Sequence, residues 1–191
     1  RFFTPESIRD RDGFRPHVVA ALKGIVDLDD QTRKAGKTVE DHFLKTYPFH
    51  PDLTDVFYTK WTILEGFQRT RGVLRTFALA LRHAEKWDQS PLIGVNIFLS
   101  APDQTDISEA ARELTNIAAT EEYEGKKQEW SGILEGELTK AREIQRETTG
   151  IKFREIEQAV LATFLHSQPI GQKALTRELL LLLGATRPDK I

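Results

Sequence analysis

From Val73 to Ala84, the apolar residues Val73, Leu74, Phe77, Ala78, Leu81 and Ala84 recur at steps of one and three, directly behind Phe67-Gln68-Arg69-Thr70-Arg71-Gly72. Such spacing commits the stretch to a helix with one face buried. Three arginines, at 69, 71 and 75, surround Gly72 at the start of this helix, and Arg71, Arg75, Arg82 and Lys86 follow one another at intervals of four, seven and four along one stripe. Cations in a first helical turn oppose the macrodipole at a cost of a few tenths to about 1 kcal/mol, so stability alone does not select them. An anion shared with another surface accounts for the arrangement; a solvated basic face is the plainer alternative.

The flanking sequence extends the helical reading. Thr4-Pro5-Glu6 reads as a helix start within an irregular lead-in from Arg1 to Arg15. Val18, Val19, Leu22, Ile25 and Val26 suit a helix, as do Val39, Phe43 and Leu44, which stop before Pro48 because a residue preceding proline is pushed out of the helical region. Tyr47-Pro48-Phe49-His50-Pro51 is a stiff turn, with His50 a turn or packing residue, and Leu53, Val56, Phe57 and Trp61 share the face of the next helix. Between Pro91 and Pro102, the run Leu92, Ile93, Val95, Ile97, Phe98, Leu99 predicts a short buried strand over 90–102. Helical spacing returns with Ala110, Ala111, Leu114, Ile117 and Ala118. A charged connection at 121–127 interrupts it, and Trp130 through Ile144 resume it. Phe153, Ile156, Val160 and Phe164 form a helix face, Gln168-Pro169-Ile170-Gly171 a turn, and Leu175 to Leu183 a second helix closed by Gly184. Thr186-Arg187-Pro188-Asp189 starts a third, and this order matches the opening of a winged helix or helix-turn-helix; a hairpin that only packs on its neighbours is the alternative.

Several chemistries find no support. Gly36-Lys37-Thr38 lacks the first glycine of a phosphate-binding loop, since Gln31 occupies that position, and Asp27, Asp29 and Asp30 upstream would repel an anion. The histidines at 17, 42, 50, 83 and 166 form no His-Glu-x-x-His and no ligand-like pair, so no metal site is expected, and no Gly-x-Ser-x-Gly elbow is present. A net charge of -2 argues against a global polyanion-binding field. With no cysteine and no apolar run of membrane-spanning length, the expectation is a cytoplasmic protein without a membrane partner. The absence of methionine and the opening at Arg1 lead us to expect a piece of a longer protein.

Gly72-Val73-Leu74-Arg75 is similar to the Gly-x-x-Arg "sensor 2" signature of AAA+ ATPases. The longer pair Tyr47-Pro48-Phe49-His50-Pro51 and Phe67-Gln68-Arg69-Thr70-Arg71-Gly72, within residues 47–86, resembles a family of large bacterial AAA+ ATPases predicted from sequence, a domain of unknown function often associated with DNA methylases and helicases. Ala162-Thr163-Phe164-Leu165-His166-Ser167 is similar to that family's C-terminal region more weakly. The resemblance implies an all-α fold with room for one short strand. Its parts would be an AAA+ lid-like helical domain over 1–90, a strand and helical connection over 91–150, and a partial winged-helix-like unit over 151–191. It further implies that Arg75 is catalytic, that Arg75, Arg71, Arg69 and Gly72 contact the nucleotide, and that ATP and Mg²⁺ are bound in the intact protein though not by these residues alone. The ATPase core of the same chain would be the partner, with a homo-oligomer and DNA left open. A non-catalytic nucleic-acid-binding or adaptor module, gripping phosphodiesters with the same arginines, is the competing expectation.

Overall fold

The computed structural model describes residues 13, 15–26, 29–90, 92–120, 122–123, 125–151 and 153–184. It is all-α, with nine α-helices among the described residues: α1 (Arg15–Val26), α2 (Asp30–Ala35), α3 (Lys37–Thr46), α4 (Pro51–Val56), α5 (Arg69–Ala84), α6 (Glu109–Ala118), α7 (Trp130–Glu147), α8 (Glu155–His166) and α9 (Thr176–Gly184). The helix start expected at Thr4-Pro5-Glu6 and the third helix expected from Thr186 lie outside the described residues.

Side-chain caps set several boundaries. Asp29 accepts from Thr32 N–H at the start of α2 (2.9 Å), His50 Nδ1 accepts from Asp52 N–H at the start of α4 (3.1 Å), and Ser108 Oγ accepts from Ala111 N–H at the start of α6 (3.0 Å). Each satisfies a backbone donor that has no partner within its own helix. Ser108 also donates to the Phe98 carbonyl at 2.6 Å, which ties the start of α6 to the preceding loop.

Two apolar clusters organise the helices. The smaller joins α1 and α3 through Val18, Leu22, Ile25 and Phe43, closed by Leu92. The larger runs from Leu53 to Leu182 and takes residues from α4 through α9, so one core spans residues on both sides of positions 90 and 150, where the resemblance implies domain boundaries. Phe57 lies at its centre: its ring meets Phe77 at 5.0 Å, Phe98 at 5.5 Å, Trp61 at 5.7 Å and Phe67 at 5.8 Å between centroids. After α4 the backbone widens into a π turn over Phe57–Trp61, followed by a 3₁₀ turn at Glu65–Phe67 that delivers the chain to α5.

The strand expected over 90–102 does not form. Ile93 makes a single parallel bridge to Phe49, with His50 N–H donating to the Ile93 carbonyl (2.9 Å) and Ile93 N–H to the Pro48 carbonyl (2.8 Å), and Val95–Phe98 then coil as a 3₁₀ turn. A short, continuously apolar run reads alike as buried strand or buried coil, and here Leu92 and Val95 to Leu99 are buried, with Ile93 half-buried, without a neighbouring strand. The two-residue antiparallel hairpin, β1 (Glu122–Tyr123) with β2 (Lys126–Lys127), instead turns at Gly125 (φ +73°) within the charged connection.

Gly72 is required by close approach. A Cβ there would sit 1.6 Å from the Phe67 carbonyl oxygen and 2.8 Å from its carbon, because the 3₁₀ turn folds back onto the first turn of α5. Gly136, in α7, has nothing within 4 Å of the same position. Gly72→Ala is therefore expected to destabilise the fold by about 2–4 kcal/mol through backbone displacement. Gly136→Ala should stabilise it by roughly 0.5–1 kcal/mol through helix propensity. Urea denaturation of the two variants checks the contrast; shifts of the same sign and size would refute it.

Candidate functional site

The arginines that flank Gly72 reach the surface from a strained helix start. Gln68 (φ +58°) and Arg69 (φ +52°) both adopt left-handed backbone, a conformation that costs about 1–3 kcal/mol for residues other than glycine. This reversal turns the chain from the buried Phe67 into α5 and leaves Arg69 and Arg71 exposed. On the opposite side of α5, Val73, Thr76, Phe77, Ala80 and Ala84 are buried.

Arg75 is 73 % exposed at its side chain, and its Nε lies 3.1 Å from Glu113 Oε1 on α6. A guanidinium has five N–H donors, so an Nε contact leaves the four on its two terminal nitrogens for another ligand. No ion pair or hydrogen bond engages the side chains of Arg69, Arg71 or Arg82 among the described residues. Farther along α5, His83 pairs with Glu109 at 3.0 Å. The structure thus keeps Arg69, Arg71 and Arg75 toward the first half of one helix. Gly72 lies among them as a packing requirement, half-buried beneath the helix surface.

Gly36-Lys37-Thr38 forms the junction of two helices. Gly36 (φ +47°) closes α2 and opens α3, with exposed Lys37 and Thr38 in the first turn of α3. Among the described residues no strand precedes it, and no group of three or more His, Cys, Asp or Glu side chains could hold a metal ion.

Sequence reasoning missed three polar clusters joined across long separations. In the first, His166 is 2 % exposed and its Nε2 lies 3.0 Å from Asp52 Oδ2, while Lys60 Nζ donates to the His166 carbonyl at 2.8 Å and pairs with Glu178 Oε1 at 3.1 Å. Trp61 Nε1 donates to the Leu165 carbonyl at 3.1 Å, so the π turn caps the last carbonyls of α8 with two consecutive side chains. Burial pushes the Glu178 carboxyl up, but the Leu175 N–H and Lys60 outweigh it and hold it below the usual glutamate range. In the second, buried Glu157 accepts from Arg142 Nε and from Arg154 Nε and Nη2, each at 2.8 Å, and from Gln145 at 3.1 Å. Desolvation opposes ionisation there, and these donors overcome it, keeping the carboxyl below its ordinary value. Arg154 also donates to the Ser100 carbonyl (2.6 Å) and Arg142 to that of Thr105, which fixes the loop before α6.

The third cluster joins α9 to the α1–α2 junction. Asp29 receives Arg177 Nη2 at 2.9 Å and Nε at 3.2 Å, and also bonds Thr32. The Arg177 hydrogen bond, then those of Thr32, lower its pKa to about 2. Close by, His50 is buried against Phe43 (5.0 Å between rings), and desolvation lowers its pKa to about 4. His50 is thus a packing and capping residue, as its place between an aromatic and a proline suggests. Only two local hints lie in the sequence, Asp29 three residues before Thr32, a capping spacing, and Arg154 three residues before Glu157; the longer-range pairs carry no local signal.

No known family matches the chain, and no curated protein or solved structure is significantly similar to it.

The pH dependence of stability follows from two of these groups. A histidine whose folded pKa lies near 4 rather than 6.5 binds fewer protons folded than unfolded between those values, so His50 contributes stability that is complete above pH 6.5 and is lost as pH falls toward 4. Asp29, depressed to about 2, contributes stability present above its ordinary value near 4 and lost as pH falls toward 2. His50→Asn should therefore flatten the stability profile between pH 6.5 and 4, and Asp29→Asn that below pH 4. Urea midpoints across the pH range read both, and unchanged slopes would show that these groups do not set the acid limit.

Proposed function

We propose that this chain is a lid-like helical part of an AAA+ ATPase in which Arg75 reaches the terminal phosphate of ATP. The observation that carries the reading is Arg75 itself: exposed, held by Nε to Glu113, with its terminal nitrogens uncommitted among the described residues, and beside Arg71 and Arg69 on the same helix. This donor set suits the phosphate end of a nucleotide. It includes no cradle of backbone N–H groups and, among the described residues, no cluster of metal-ligating side chains, so the remaining contacts and the Mg²⁺ ligands belong to an ATPase core outside these residues. When bound, ATP supplies the phosphoryl group and the leaving diphosphate. The role of Arg75 is to stabilise charge that develops on the transferred group, with Arg71 or Arg69 contacting the nucleotide or a neighbouring subunit.

Among the described residues no helix is long and apolar enough to cross a membrane. A cytoplasmic location and a DNA-related or defence process belong to the same proposal. The competing reading, a nucleic-acid-binding or adaptor module that grips phosphodiesters with the same arginines, draws less support, because the α8–α9 hairpin adds little cationic surface to theirs. Arg177 is spent on Asp29 and Glu178 on Lys60, which leaves Lys173 as the uncommitted cation of α9 and its lead-in among the described residues.

In the intact protein, Arg75→Ala is expected to lower hydrolysis by roughly tenfold to a thousandfold with the fold retained, while Arg82→Ala does much less. Steady-state turnover equal to wild type in the Arg75 variant would reject the assignment. The 191 residues alone should bind ATP no better than they bind inorganic triphosphate, and Mg²⁺-dependent ATP binding at micromolar affinity by calorimetry would contradict this.

A further inference from the structure

α5 carries a second apolar edge that the core covers only in part: Leu81 packs against it, while Leu74 and Ala78 stay exposed. Leu74, Ala78 and Leu81 follow one another by four and three residues, and with Phe49, Thr54, Tyr58, Val73 and Phe77 they form a recess of about 160 Å³. Leu74 and Tyr58 are each 54 % exposed at its rim, whereas Val73 and Phe77 form its floor. Pockets for small molecules span roughly 300–1,000 Å³, so this recess suits one or two inserted apolar side chains better than a whole metabolite.

Charge borders the recess on one side. At 3.6 residues per turn, Arg71 and Arg82 project roughly 60° and 80° round the helix from Leu74, on the solvent side, and neither has a partner among the described residues. No carboxylate lines the recess; Glu85, past the last turn of α5, stands beyond its far end. Apolar anchors at helical spacing beside a row of uncommitted guanidinium groups match an amphipathic helix whose apolar face is bordered by Asp or Glu. A phosphate-rich duplex would use the arginines and leave Leu74 and Tyr58 in water, and exposed apolar side chains grouped at one recess mark protein contacts.

We propose that the Leu74–Ala78–Leu81 edge of α5, with Tyr58 and the arginines 71 and 82, is a docking groove for an acidic amphipathic helix of a partner protein. The groove shares Arg71 with the nucleotide reading but does not use Arg75, so Leu74 and Arg75 tell the two apart.

The probe is a fluorescein-labelled synthetic helix of about 18 residues, long enough to hold helical structure, with leucines at i, i+3, i+4 and i+7 and glutamates along both flanks. Anisotropy titration at low salt is expected to give saturable binding to the chain. Leu74→Glu should weaken it at least tenfold, as should the pair Arg71→Glu with Arg82→Glu. A second peptide with lysines in place of the glutamates should bind wild type at least tenfold more weakly and recover on the double glutamate variant. All these substitutions lie at exposed positions, and circular dichroism verifies that each variant is folded. Equal binding of the acidic and basic peptides, or acidic-peptide binding indifferent to Leu74→Glu, would overturn the proposal. So would duplex DNA binding in place of either peptide, or a dimer of this chain that Leu74→Glu dissolves without any peptide affinity. Loss of hydrolysis on Arg75→Ala with no peptide binding would sink the groove alone; peptide binding with unchanged hydrolysis would sink the nucleotide reading alone.

Discussion

The π turn at Phe57–Trp61 is the constraint on which most of this fold depends. One extra residue in a helical turn changes which side chains share a face, and here it points Phe57 into the aromatic centre while Lys60 and Trp61 reach α8 together. Trp61 closes the Leu165 carbonyl and packs its ring on Phe164 at 5.7 Å; Lys60 closes the His166 carbonyl and continues to Glu178 on α9. The last turn of α8, the start of α9 and the aromatic core are therefore placed by five consecutive residues.

The buried charges do a different job, holding irregular backbone. Placing a carboxylate such as Glu157 in the interior costs several kcal/mol, recovered only when its lone pairs are satisfied. Arg142, Arg154 and Gln145 satisfy them, and the same two arginines extend to the carbonyls of Ser100 and Thr105. The loop between the 3₁₀ turn and α6 thus gains fixed donors for groups that no secondary structure pairs. Arg154 adopts left-handed backbone (φ +60°) to do so, with its guanidinium 5.5 Å from the Trp87 ring centroid. Asp29 and Arg177 act alike at the other end of the molecule, where they join α9 to the smaller apolar cluster.

Helices such as α5, α6 and α7 are legible in the sequence because a repeated apolar face is a local signal, and of the face expected on α5 Val73, Phe77 and Ala84 are buried, whereas Leu74 and Ala78 are exposed and the buried face turns instead to include Thr76 and Ala80. The coil over Val95–Phe98 is not legible, since its uniform apolar character reports burial without reporting backbone geometry. Gly72 is legible as a fixed position and misleading as to cause: beside three arginines it reads as part of an anion site, whereas its missing Cβ admits the Phe67 carbonyl. His166 with Asp52 and Arg177 with Asp29 lie more than a hundred residues apart, and no one-dimensional pattern brings them together. The exposed state of the arginines is legible; the Glu113 anchor on Arg75 is not, because it depends on the antiparallel register of α5 and α6.

That register bears on how the two faces of α5 act together. Arg75 meets Glu113 and His83 meets Glu109, so the helices run antiparallel, with the side chains of α5 braced on α6 at two heights. Exposed ion pairs of this kind contribute about 0–1 kcal/mol each, too little to clamp α5 against a ligand that prefers another position. The start of α5 is held far more firmly by the fit of Gly72 under Phe67, which leaves no room for translation at that end. Beyond that turn α5 is tied by Phe77, Ala80 and Ala84, buried in the core, so the exposed Arg75–Glu113 contact can open while the helix stays in place. On the proposed reading, a partner seated beside Leu74 would act on Arg75 by this route, through a change in how often Glu113 holds its guanidinium, and the coupling would be bounded by the small energy of that pair.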